Sequence, residues 1–433
     1  MIEADFRQVV YALSDALDLV GVDDVAHGKR VGVMAAECGK AMGLPQDDVQ
    51  FLFDLGLLHD IGVSNTTVHQ HLVSEFDWAG SQEHAIVGYE LLKDFRPLAR
   101  MALPIRYHHT RWDRMVADGV DPRVRRDANL TLLVDRVDSM AAQYYAHGKV
   151  LQHSDAIRRE IELRAGTYFD PALVQVFLQV SAHEAFWLYL EPVALDGYLD
   201  DMLAHGQPIA ASHAEMLQLA RIFSTIVDAK SRFTATHSQG VAQVARRLGA
   251  RVGLDAARCD ELEMAGLLHD LGKLRVPDEI LDKPAALDAG ERLVMNTHSF
   301  ATMQILRKIR GFEGIAAWAA DHHEAPGGTG YPHGLDGAKL PLEARILRLA
   351  DIFQAMVQDR PYRKGLSPGA VAAFMREQQQ RGSVDPQLAD LLLANLPEMI
   401  EAARGQESGR QPIACSNAVI ASAAYISDGP PPM

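Results

Sequence analysis

The chain is 433 residues long, with 48% hydrophobic residues, 23% charged residues and a formal charge of -15. Those values fit a packed globular protein of two or three domains and exclude a fibrous or wholly disordered chain. The acidic balance argues against general affinity for DNA or RNA, so a phosphate ester handled here needs a local source of positive charge.

The opening stretch MIEADFRQVVYALSDAL is acidic and amphipathic. It lacks the basic region and apolar run of a secretory signal. No apolar run approaches the ~20 residues needed to span a bilayer. The three cysteines, Cys38, Cys259 and Cys415, form no CxxC pair, which speaks against both a disulfide framework and a thiolate zinc site. A cytoplasmic chain without membrane contact is the expectation.

Along the chain, apolar residues recur at helical spacing and strand alternation is hard to find, which predicts an all-α fold. HGKRVGVMAAECGKAMGL, from His27, is matched by HSQGVAQVARRLGARVGL, from His237. His59-Asp60 in LGLLHDIG follows His27 by 32 residues, and His269-Asp270 in AGLLHDLG follows His237 by the same interval. His84 and His298 come next, each followed 24 residues later by a His pair, His108-His109 and His322-His323. An aspartate in an apolar helix follows each pair, Asp135 and Asp351, and each half then carries Asp-Pro, at Asp170-Pro171 and Asp385-Pro386. Such self-similarity marks a tandem duplication.

The predicted organisation is a first domain over residues 1–195, a linker over 196–215 where Pro and Gly interrupt the pattern, a second domain over 216–404, and a disordered tail over 405–433, small, polar and Pro-terminated. HHEAPGGTGYPHGL, from His322, sets two histidines and a glutamate before a run of Gly and Pro that cannot continue a helix. That arrangement reads as a shaped loop beside a site.

The repeated His and Asp positions lie on separate helices that a bundle can bring to one centre. Imidazole with carboxylate and no thiolate suits Fe, Mn, Zn or Ni. An Asp at the middle of such a cluster can bridge two ions, and a two-ion centre activates water and offsets charge on a phosphoryl oxygen. It would also supply the positive field that the acidic composition lacks.

From His237 to Asp385 the chain resembles an HD-GYP domain of the HD phosphohydrolases. The resemblance is carried by HDLGK at 269–273, ILDKPAAL, the His298 segment, HHEAPGGTGYPHGL, ARILRLADIF and RPYRKGLS. It implies tandem HD-type helical bundles and a metal-dependent phosphodiesterase that opens cyclic di-GMP or cyclic GMP-AMP to the linear dinucleotide or GMP. The implied centre holds two divalent ions, Fe, Mn or similar, on His237, His269, Asp270, His298, His322, His323 and Asp351, with Asp270 bridging. Lys273 would face the scissile phosphate, and Tyr331, Arg360 and Arg363 would hold substrate.

Five departures stand out. Phe233 occupies the place of a glutamate that three-metal members carry, Gly327 that of an Asp or Asn in the loop, and Gln354 that of an aspartate after the last ligand. In the first half Val63 replaces the lysine and no Gly-Tyr-Pro follows the His pair. The first half therefore reads as a degenerate HD domain that keeps a second candidate metal set, His27, His59, Asp60, His84, His108, His109 and Asp135, and that regulates or packs on its partner. A homodimer or a signalling partner reached through this domain is the expected assembly. The competing readings are a catalytically weak cyclic-dinucleotide sensor and an HD phosphohydrolase of another nucleotide.

Overall fold

The computed structural model describes residues 5–21, 26–74, 76, 78, 80–145, 149–205, 211–230, 236–359 and 364–404. Among them there is no β-strand; isolated bridges pair Ala165 with Phe169 and Gly327 with Asp336. The all-α expectation is met. No helix is long and apolar enough to cross a membrane among the described residues.

Each half is built around three helices. In the first, His27–Ala41 and Gln46–Leu58 pack as an antiparallel pair with Pro122–Ala141 laid against both. In the second, His237–Arg251, Ala256–Leu268 and Leu342–Val357 repeat the arrangement. Small residues allow the close approach: a Cβ on Gly56 would lie 2.5 Å from the Cα of Gly32, and one on Gly266 would lie 2.7 Å from the Cα of Ala242. Behind these contacts the helices bury Val31, Met34, Phe53 and Leu133, and in the copy Val244, Leu262, Leu347 and Phe353. Each large side chain so buried contributes roughly 1.5–3 kcal/mol relative to exposure.

The repeated Asp-Pro is helix punctuation. Asp170 and Asp385 are N-caps whose carboxylates accept from Ala172 N and from Gln387 N and Leu388 N, and the prolines stand in the first turn, where no backbone N–H is needed.

The interruption predicted between the halves is narrower than residues 196–215. Pro192–His205 is a helix, and another runs His213–Lys230. Pro192 stands at the first helical position, where its fixed φ starts a helix. The Pro192–His205 helix belongs to the first half, where the Tyr198 hydroxyl donates to Glu37 at 2.8 Å and accepts from Lys40 at 2.9 Å. Residues 206–210 lie outside the described residues, as does 405–433 and with it the tail expectation.

The halves touch through polar groups. Lys308 Nζ meets Asp15 Oδ2 at 2.5 Å. Lys230, 2% exposed, donates to Thr66 Oγ1 at 3.0 Å and pairs with Asp278 at 3.1 Å. Asp278 in turn accepts from Thr66 N at 2.9 Å, at the start of the helix Thr66–Ser74.

Candidate metal centre

In the second half, five segments converge. His237 opens its helix, His269 and Asp270 form the turn after Ala256–Leu268, His298 lies within Ala289–Leu306, the His322-His323 pair ends a short helical turn after Glu313–Ala320, and Asp351 lies mid-helix. The glycine of HDLG makes this convergence possible. A Cβ on Gly272 would lie 2.1 Å from the carbonyl oxygen of His298, so only glycine lets the HD turn press onto the helix carrying the next histidine.

Asp270 stands in the middle. Its Oδ1 faces His298 Nε2 at 3.5 Å and His322 Nε2 at 3.9 Å, while its Oδ2 faces His269 Nε2 at 3.3 Å and accepts from Lys273 Nζ at 2.6 Å. On one side lie His237, His269 and Asp351, with His237 Nε2 3.0 Å from Asp351 Oδ1; on the other lie His298, His322 and His323. In each group the potential ligand atoms fall within 4.8 Å of one another.

The histidines are oriented from behind. His269 Nδ1 lies 2.7 Å from Gly266 O, His298 Nδ1 2.6 Å from Met295 O and His322 Nδ1 2.6 Å from Ala319 O. Donation from Nδ1 leaves the Nε2 lone pair turned inward. Asp228 Oδ2 and Oδ1 accept from Ser238 N and Oγ at 3.1 and 2.7 Å, fixing the start of the His237 helix.

The buried His269 Nε2, His322 Nε2 and Asp270 Oδ1 have no hydrogen-bond partner. Three orphaned buried acceptors aimed at one point would be costly in an ordinary core. They suit a divalent cation. Burial holds His298 down to about 4 and His323 to about 3, so both imidazoles are neutral and able to ligate at pH 7. For Lys273 burial works against the charged form, but the adjacent Asp270 outweighs it and the pKa is raised.

The Gly-Tyr-Pro loop is held beside this centre. Glu324, fully buried, accepts from the backbone N–H groups of His333, Gly334 and Leu335 at 2.6, 3.0 and 2.9 Å. Tyr331 lies with its ring 4.8 Å from that of His323, and a Cβ on Gly330 would stand 2.4 Å from Glu324 Cα. Arg360, Arg363 and Phe233 lie outside the described residues.

The first half repeats the pattern. Asp60 Oδ1 faces His84 Nε2 at 3.2 Å and His108 Nε2 at 3.6 Å, and its Oδ2 faces His59 Nε2 at 3.6 Å and His27 Nε2 at 3.9 Å. His27, His59 and Asp135 form one group and Asp60, His84, His108 and His109 the other. His59 Nε2, Asp60 Oδ1 and His109 Nε2 are buried without hydrogen-bond partners. A Cβ on Gly62 would lie 2.0 Å from His84 O, the same abutment as at Gly272. Val63, 3% exposed, stands where Lys273 does, and Thr110 where Glu324 does. The first half thus lacks the carboxylate that ties the loop down, not only the loop.

Sequence reasoning missed Glu324, read only as part of a motif, and Asp228. The signal for Asp228 was present: Asp18 and Asp228 each precede the first histidine of their half by nine and nine residues, and Gly28 N donates to Asp18 Oδ1 at 3.1 Å as Ser238 N does to Asp228.

Models of the HD domain match residues 25–143 and 221–388. The 3'3'-cGAMP-specific phosphodiesterase 1 of Vibrio cholerae is 36% identical over 400 residues, which span 90% of this chain and 92% of that protein. The chain belongs to the HD-GYP phosphodiesterase family. Another relative, the cyclic di-GMP phosphodiesterase response regulator RpfG of Xanthomonas campestris, is 36% identical over 37% of this chain and 43% of its own length. The crystal structure of the cyclic GMP-AMP specific phosphodiesterase V-cGAP3 of V. cholerae superposes with a TM-score of 0.62 at 24% identity, covering 91% of this chain and 98% of that one, which supports the fold. HD domains bind divalent metals, and both clusters of this HD-GYP chain have the residues to do so.

Proposed function

We propose that the second half is a metal-dependent phosphodiesterase of cyclic dinucleotides, with cyclic GMP-AMP the first candidate substrate and cyclic di-GMP the second. The observation that carries this reading is Asp270, whose two oxygens divide between two histidine groups while Lys273 touches one of them. The substrate order rests on the relative that spans nearly the whole chain, named for cGAMP.

In this reading His237, His269, Asp270 and Asp351 hold one ion, and Asp270, His298, His322 and His323 a second, with Fe or Mn suited to the donors. Bound there, the ions supply a water of lowered pKa and neutralise charge on the phosphoryl group. Lys273, released from Asp270 Oδ2, would bring its ammonium to the scissile phosphate and stabilise the charge that develops there. Tyr331 offers a ring beside His323 for a base or ribose, and Arg360 and Arg363 offer guanidinium forks for the phosphates. Domain limits of 1–205 and 211–404 follow from the helices that pack on each half. Cys38 and Cys259 are free buried thiols, as expected of a reducing cytoplasm, and the first half is the face offered to a second copy or a signalling partner.

The test uses protein purified anaerobically with Mn or Fe and mixed separately with cyclic GMP-AMP and cyclic di-GMP, with products separated by chromatography. Linear dinucleotide from wild type but not from Asp270→Ala is expected. Equal turnover by that variant would overturn the reading, and metal-loaded protein that binds but never cleaves would replace it with a sensor.

A further inference from the structure

The two centres share their ligand types but not the groups behind them. His27 Nδ1 lies 2.8 Å from a carboxylate, Asp138 Oδ2. That carboxylate is itself fully buried and gripped: Arg30 donates Nε to Oδ1 at 2.7 Å and a second nitrogen to Oδ2 at 2.9 Å, and the Tyr145 hydroxyl donates to Oδ1 at 2.7 Å. The matching position in the second half is Gln354. His237 Nδ1 instead reaches the amide oxygen of Gln358, at 3.3 Å and half-exposed.

The carboxylate ligands differ in how they are oriented. Asp135 Oδ1 faces His27 Nε2 at 3.4 Å, and its other oxygen accepts from Arg136 at 2.8 Å. Arg136 is anchored in turn on Leu72 O at 2.9 Å. Ile352 stands at the matching position and can offer no such bond to Asp351. At the central aspartate the contrast is sharper. Lys273 occupies Asp270 Oδ2, the oxygen that faces His269, so an ion must displace an ammonium there; at the matching place Val63 presents nothing that competes for Asp60.

We infer that the half without the lysine and the loop is the tighter metal site, a resident centre, while the half that carries them exchanges its metal more readily. A carboxylate behind a ligating imidazole raises its basicity and fixes its orientation, and removing such support typically costs 10–100-fold in metal affinity. The inference rests on the metal-centre reading above and orders the two centres within it.

Metal content per chain, measured on the full protein loaded with Mn(II) alone and equilibrated against graded chelator, tests it. Two classes of bound metal are expected, separated by roughly tenfold or more in affinity. His27→Ala and Asp138→Asn should remove or weaken the tight class, and His237→Ala the weak one. Gln358→Glu, at a half-exposed position, should strengthen the weak class whether or not Asp138→Asn folds. A single class, or a tight class lost in His237→Ala and untouched in His27→Ala, would overturn the ordering. Absence of bound metal in every variant and in wild type would instead overturn the metal-centre reading itself.

Discussion

Lys273 and Glu324 are the side chains whose loss should separate catalysis from metal binding. Lys273→Met removes a cation at Asp270, so metal content is expected to hold or rise while kcat falls by roughly 10²–10³, the usual cost of one donor to developing charge. Elemental analysis beside steady-state rates checks both, and loss of metal with activity would contradict the assignment. Glu324→Ala leaves three backbone N–H groups without their acceptor. Stability is expected to fall by about 2–4 kcal/mol, with proteolysis entering between residues 326 and 336, because unmet buried donors each cost of order 1 kcal/mol or more. For pH, burial keeps the folded His298 pKa at about 4 against about 6.5 in the unfolded chain. Above 6.5 both states are neutral and nothing is gained; as pH falls from 6.5 toward 4 the unfolded chain takes the proton first and the folded state loses ground. Chelator-treated wild type should therefore lose about 1 kcal/mol more than His298→Gln between pH 7.5 and 5.5 in denaturant titrations. Equal losses would show that this imidazole is not held neutral.

At the scale of elements, the HD turn is the vulnerable joint. Gly272→Ala would place a methyl 2.1 Å from a backbone oxygen that cannot swing aside. Overpacking of this kind costs typically 1–3 kcal/mol, and the thermal midpoint and metal content should drop together; unchanged metal content would mean that the turn and the His298 helix separate without consequence. The all-α class, and the His and Asp positions that the structure gathers into two clusters, were legible in the sequence because periodicity and repeat carry over long intervals, and copied His and Asp positions stand out even where each alone would be ordinary. Punctuation was less legible. Pro192 and Pro171 look alike in a string, and only the residue before them and the helix that follows tell an interruption from a first turn. The roles of Glu324 and Asp138 were hidden for another reason: Asp138 acts on a ring 111 residues away, and Glu324 on backbone groups 9 to 11 residues on, separations that match no helix or strand period.

For the whole molecule, the buried Lys230 and its partner Asp278 are the contact to disturb. Deleting one member of a buried pair strands the other, whereas removing the charge that sits deepest leaves a hydrophobic stem. Asp278→Ala is expected to cost about 3–5 kcal/mol and Lys230→Met distinctly less, a difference readable in denaturant midpoints. Equal costs would indicate that the pair is solvated in the folded protein.

The paired differences behind the two centres also bear on how the copies could have diverged. A Cβ on Gly240, which matches Arg30, would lie 2.3 Å from the Gln354 side chain, which matches Asp138. An Arg at 240 needs the Gln354 side chain to move aside, and an Asp at 354 without that Arg is a buried carboxylate with fewer partners than Asp138 has. The two positions are coupled, so a change at one sets what the other can hold, and the groups behind the two centres differ as a pair.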